Sequence, residues 1–176
     1  MMIHLASPNS RSSLSKFDSV QVQPNAIDLR VDRIFQSYSQ VFVISEQEKT
    51  HRETREIFPI AEVRAPTDDG HDAWWRLEVG SYEIIMEGIV TLADDEAGWV
   101  ITRSSLNRNG CFITSGLYDS GYSGVMAGVL HVNNGPIRIK RGTRVGQFLL
   151  FKAEALNQYD GDYGIGKQHD EKYGAS

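Results

Sequence analysis

Cysteine is nearly absent. Cys111 stands alone among 176 residues, which excludes an intramolecular disulfide framework and a zinc site built on several thiolates. Such sparing use of thiol suits a reducing cytoplasm, and Cys111, in a β-rich stretch, reads as a small buried apolar residue. No apolar run reaches the eighteen residues of a membrane span, and the N-terminal stretch MMIHLASPNS does not follow the order of a secretory signal. Neither membrane insertion nor export is expected. A surplus of positive charge is missing as well: 18 Lys and Arg against 23 Asp and Glu leave a net charge of −5. A broad nucleic-acid surface is therefore not expected, and phosphate contacts should be local. Long helical periodicity is scarce, and no internal repeat or low-complexity tract occurs.

The chain instead carries short runs rich in Val, Ile, Phe and Tyr between turn residues, the pattern of a mainly β protein. Strands are expected at 41–45, 74–79, 82–90, 98–102, 111–115, 125–132, 136–140 and 144–151, spaced as in a compact barrel or sandwich. The length suits one domain, which would bury about 70% of the surface of the unfolded chain. In HVNNGPIRIK, Asn133, Asn134 and Gly135 tolerate positive φ, and Ile137 and Ile139 then alternate with Arg138 and Lys140, predicting a hairpin with one buried face. The charged stretch SEQEKTHRETRE at 45–56 reads as a solvated surface insertion, either a short helix or a loop. PTDDGH at 66–71 reads as a connector, and His71 with Asp72 lacks the spaced third ligand that a metal site needs.

Chemistry concentrates in ITRSSLNRNGCFITSGLYDSGYSG, residues 101–124. Arg103, Ser104, Ser105 and Arg108 place two guanidinium groups and two hydroxyls within six residues. Such a set suits an exposed polar loop, and also the oxygens of a phosphate chain. In GLYDSGYSG, Gly116, Gly121 and Gly124 surround Asp119 and Tyr122. Glycines let backbone approach a flat ligand closely. Asp119 suits either turn geometry or, ionised at neutral pH, the orientation and deprotonation of a water molecule.

The tail contains GDYGIGKQ, with the G-x-x-x-x-G-K spacing that opens a phosphate loop. Such a loop needs a buried strand before it and a long helix after it, yet only eight residues follow Gln168, and Gln168 replaces the hydroxyl residue that would ligate magnesium. Tyr159, Tyr163, His169 and Tyr173 interleave with glycines here, so the tail reads as a disordered terminus or as a mobile aromatic arm able to fold over a ligand.

Taken in order, NAIDL, RSSLNRNG, GLYDSGYSG, RVGQ and the Gly-rich aromatic tail resemble the trimeric dUTPase and dCTP deaminase superfamily over roughly residues 21–172. QPNAIDLRV and RSSLNRNG are more similar to the deaminase branch, whereas GLYDSGYSG resembles the dUTPase third motif, G-x-x-D-x-x-Y-x-G. The resemblance implies a jelly-roll-type β-barrel over 1–158, a flexible arm over 159–176 that closes on the active site, and a homotrimer with active sites between subunits. It implies that Asp119 activates the attacking water and that Tyr122 packs against the deoxyribose. Arg103, Ser104, Ser105, Arg108 and Gln147 would meet phosphates, some from a neighbouring subunit, and backbone around Gly116 would read the base. Tyr163 would stack on the base, and Lys167 would add charge near the phosphates. Mg2+ would be held mainly by the triphosphate, with Asp28 near its waters. Ile165 and Gly166 depart from the fifth dUTPase motif, where Ser and Thr are expected.

Deaminases of this superfamily use a glutamate on the strand after the third motif. VMAGVLHV, residues 125–132, has no acid, and Val129 lies at or beside that position. The expected activity is accordingly dUTP pyrophosphohydrolysis in the cytoplasm of a bacterium, or of the host if phage-encoded. The alternatives are a dCTP deaminase or dCTP-acting relative whose acid comes from elsewhere, and a nucleotide-dependent regulatory protein on the same scaffold.

Overall fold

The computed structural model describes residues 1–61 and 73–173. Among these residues the strands are β1 (Met2–Ile3), β2 (Ser13–Leu14), β3 (Ile27–Ser37), β4 (Thr54–Ile57), β5 (Ile60–Ala61), β6 (Ala73–Leu77), β7 (Gly80–Thr91), β8 (Glu96–Thr102), β9 (Cys111–Thr114), β10 (Leu117–Tyr118), β11 (Ser123–Val132), β12 (Ile137–Lys140) and β13 (Arg144–Lys152). One short helix, α1 (Ser104–Asn107), follows β8. The strands form an antiparallel sheet in the order β10-β8-β13-β3-β7-β11-β9, with β1 on β13, β2 on β7 and β4 on β3, while β12-β6-β5 make a smaller sheet.

β3 explains how the large sheet curls. Its first residues pair with β13, Asp28 opposite Gln147, and its later residues pair with β7, Phe35 opposite Glu83. Register shifts interrupt both ladders, between Arg144 and Gly146 and between Val31 and Arg33. Each extra residue bends and twists the strand locally, so one strand serves both halves of the barrel. Alternation then sorts side chains: Leu29, Ile34, Ile84, Leu130 and Phe148 fill the interior with Trp75, whose indole N–H donates to the Ile57 carbonyl at 2.6 Å.

Seven expected strands are present as β6, β7, β8, β9, β11, β12 and β13, with ends within two residues of those anticipated. The strand expected at 41–45 does not form; only a single bridge joins Ile44 and Lys49, and Val41 and Ile44 face solvent. The charged 45–56 stretch contains no helix and ends in β4. Gly135 makes the expected positive-φ turn (φ 85°), but no hairpin follows, because β12 pairs with β6 and β11 pairs with β7 and β9. The 66–71 connector and the His71–Asp72 pair lie outside the described residues. No helix among the described residues is long and apolar enough to cross a membrane.

The tail folds back on the barrel. The Tyr159 and Ile165 amides donate to the carbonyls of Ser120 and Ser123, both at 2.9 Å, and a short 3-10 segment, Gln168–Tyr173, ends the described chain. Among the described residues no strand leads into GDYGIGKQ and only the 3-10 segment follows it, which is not the strand–loop–helix frame of a phosphate loop.

Candidate functional site

The outer face of β7 and β11, the 116–122 turn region, the 37–54 segment and the folded-back tail enclose a pocket of about 700 Å³. Gly121, at φ 81°, turns the chain so that the Tyr122 amide donates to the Asp119 carbonyl at 3.0 Å. Tyr122 is buried, donates its phenol to the Val125 carbonyl at 2.7 Å, and meets the Tyr159 ring edge-on at 5.3 Å. Burial pushes the Tyr122 phenol far above its ordinary range, and that of Tyr118, which donates to the Ala127 carbonyl, moves the same way. Both rings are therefore neutral, fixed walls. Gly116 lines the pocket with nothing within 4 Å of where a Cβ would stand, so its backbone is open to a ligand.

Asp119 sits on the turn between the two wall tyrosines, exposed and without a side-chain partner among the described residues. The tail closes the opposite side. Gly164, at φ 114°, passes so near the barrel that an added Cβ would stand 2.7 Å from the Ser123 carbonyl, and a Cβ on Gly124 would stand 2.8 Å from the Gly164 Cα. Two facing glycines allow this approach, which brings Tyr163 to the pocket.

Glu83 also lines the pocket. On β7 it is the cross-strand partner of Val129, so both side chains project from the same face of the sheet. Its carboxylate accepts from Lys172 Nζ at 3.0 Å and from the Tyr173 phenol. Arg33, held by Glu56 through Nε at 3.0 Å and Nη2 at 2.6 Å, donates Nη1 to the Tyr173 carbonyl at 2.7 Å. Burial, then the nearby Glu83 charge, raises the Tyr173 phenol well above its usual range.

A second cluster surrounds Asp28, which is fully buried on β3. Its carboxylate accepts from Gln147 Nε2 at 3.0 Å and Arg144 Nη1 at 3.1 Å, and pairs with Arg103 Nε at 3.2 Å. Arg103 and Arg144 keep 27% and 30% of their side-chain surface exposed, so one buried negative charge aims two partly exposed guanidinium groups. Such an array favours an anion.

One chain thus gathers Arg103 with Gln147 and Asp28, and separately gathers Gly116, Tyr122 and Tyr163, with Asp119 beside the latter. Ser104, Ser105 and Arg108 are exposed on or just after α1 and do not line the pocket. Lys167 pairs with Asp160 at 3.3 Å and lines a neighbouring cleft instead. Asp28 does not fit a place among magnesium waters: both its oxygens are taken by Arg103, Arg144 and Gln147. No group of three or more His, Cys, Asp or Glu capable of holding a metal occurs among the described residues. The motifs of the sequence assign no role to Arg144, Glu83 or Lys49. Arg144 was signalled by its place in RVGQ; Glu83 had only the signal of an acid inside the apolar run YEIIM, and its facing of Val129 is a matter of strand pairing.

A probable deoxyuridine 5′-triphosphate nucleotidohydrolase from Halobacterium salinarum is 33% identical over 143 residues, covering 81% of this chain and 82% of the relative. The corresponding protein of Methanopyrus kandleri is 31% identical over 88% of this chain and 94% of its own length. A dUMP-forming dCTP deaminase from Parafrankia sp. is 32% identical over 81% of this chain and 69% of its length. The crystal structure of 2′-deoxycytidine 5′-triphosphate deaminase from Agrobacterium tumefaciens shares the fold, with a TM-score of 0.58 and 18% identity over 84% of this chain and 45% of that one. That likeness establishes the curled antiparallel barrel as a jelly-roll of this type. The family model described as dCTP deaminase-like matches residues 3–153, and the chain belongs to that family.

Proposed function

We propose that the chain hydrolyses dUTP to dUMP and pyrophosphate. The observation that carries this reading is Asp119: an exposed carboxylate with no partner among the described residues, on a turn whose flanking tyrosines wall a nucleoside-sized pocket. Relatives named as probable dUTP nucleotidohydrolases support it. The base would enter between Gly116 and Tyr163, with the deoxyribose against Tyr122. Asp119 would take a proton from water as its oxygen bonds to the α-phosphorus; the bond to the bridging oxygen breaks, and pyrophosphate leaves with the electron pair. Arg103, Arg144 and Gln147, with Ser104, Ser105 and Arg108, would hold the phosphates from a neighbouring copy of the chain. A homotrimer joins the two clusters that one chain keeps apart. Mg2+ would travel with the triphosphate and offset its charge. The 159–176 arm would close over the bound nucleotide and exclude water, and the buried free thiol of Cys111 suits a reducing cytoplasm.

The test follows pyrophosphate, ammonia and nucleotide products from dUTP and dCTP with magnesium, for the wild type and Asp119→Asn. Pyrophosphate from dUTP that is suppressed at least a hundredfold in a normally folded Asp119→Asn supports the reading; near-native turnover by that variant overturns it. Tight binding of dUTP without turnover would favour a regulatory protein on this scaffold.

Glu83 favours a second reading, dCTP deamination. The carboxylate lacking from β11 is present one strand away, opposite Val129 and facing the pocket. Ammonia released from dCTP, with no pyrophosphate from dUTP, would establish this reading in place of the first.

A further inference from the structure

The charged 38–54 segment touches the tail at the pocket. Lys49 Nζ lies 2.8 Å from Asp162 Oδ2 and 5.2 Å from the centroid of the Tyr163 ring, while His51 meets the same ring edge-on at 6.3 Å. Lys49, His51, Asp162 and Tyr163 all line the pocket. The Tyr163 amide also donates to the Tyr159 phenol at 3.1 Å. The barrel strands grip the tail at Gly164, Ile165, Lys172 and Tyr173, while Lys49 and His51 of the insertion lie against the Tyr163 ring.

We infer that Lys49 is a positioning residue for the tail: by pairing with Asp162 and lying over the Tyr163 ring, it sets that ring across the mouth of the pocket before a nucleotide arrives. The inference rests on the nucleotide reading of the pocket. It gives the 38–54 segment a role in ligand affinity that the barrel does not supply. Lys49 acts through the tail and makes no claim on the reacting atoms. An ordered ring lowers the cost of closing over a base, so its loss weakens ground-state binding while the chemical step is kept. Lys49 and Asp162 retain 35% and 67% of their side-chain surface, so the pair is weak in water and screened by salt, and the effect should be modest.

The experiment compares wild type, Lys49→Asp, Asp162→Lys and the doubly reversed variant. Amide hydrogen exchange is read at Tyr163, Gly164 and Ile165 without nucleotide, together with KM and kcat for dUTP and the affinity of a non-hydrolysable imido analogue of dUTP. Each single reversal should speed exchange and raise KM about three- to tenfold with kcat changed less than about twofold, and the double reversal, which remakes the ion pair but not the cation over the ring, should recover part of both. Unchanged exchange in Lys49→Asp, or no recovery in the double variant, overturns the inference. If exchange follows the charge pattern but neither dUTP nor the analogue binds the wild type, the positioning role stands and the nucleotide reading fails.

Discussion

Glu96 allows the energetics of the barrel rim to be tested quantitatively. It opens β8, is fully buried, and accepts from the Ser12 hydroxyl at 2.5 Å, from the amides of Ser12 at 2.9 Å and Arg11 at 3.1 Å, and from Lys152 Nζ at 2.7 Å. Burial alone would raise its pKa, but Lys152, the Ser12 hydroxyl and the two amides outweigh that and lower it from 4.5 to about 2. At about 1.36 kcal/mol per unit the shift corresponds to about 3 kcal/mol, and because Lys152 approaches from solvent with 35% of its side chain exposed, screening reduces this to about 2 kcal/mol. Glu96→Gln should therefore lower Tm by about 4–8 °C at pH 7 and fixed protomer concentration. A depressed carboxylate contributes fully above its unfolded pKa and progressively less as pH falls from about 4.5 towards 2. About 40% of the penalty should thus have gone by pH 3.5, leaving roughly 1 kcal/mol in urea titrations followed by circular dichroism. A penalty identical at pH 7 and pH 3.5 would refute the charge-based account and leave a purely packing role.

Two further variants probe the site. Asp28→Asn leaves Arg103 and Arg144 without their shared buried anion and should cost about 2–4 kcal/mol, read as a lower urea midpoint at pH 7; a loss under about 0.5 kcal/mol would mean that Asp28 does not anchor them. Gly164→Ala pushes a Cβ against the Ser123 carbonyl at a φ of 114°, a strain of about 1–2 kcal/mol borne by the tail. KM for dUTP should rise about tenfold while barrel Tm stays unchanged, and an unaltered KM would show that the tail does not need this path.

The strands that packing demanded were legible, because short apolar runs between turn residues, such as YEIIMEGIV and RVGQFLLF, report burial. β3 was missed since IDLRVDRIF puts Asp28, Arg30, Asp32 and Arg33 among its apolar residues. Asp28, Asp32 and Arg33 make sense only beside Arg144, Gln147, Arg141 and Glu56, which lie far away in the chain. The 41–45 run looked like a strand because local apolar content cannot reveal that no sheet edge receives it.

The order of short motifs, the glycines beside Asp119 and the lack of an acid in residues 125–132 were set out by sequence alone, because turn chemistry and residue type are local properties. Strand pairing decided the rest. It placed Glu83 opposite Val129 and buried Asp28 under two arginines, while the packing of the folded-back tail brought the charged insertion against Tyr163. These contacts depend on register between segments distant in the chain, and a period-two pattern tells which face a side chain occupies but not which neighbour it meets.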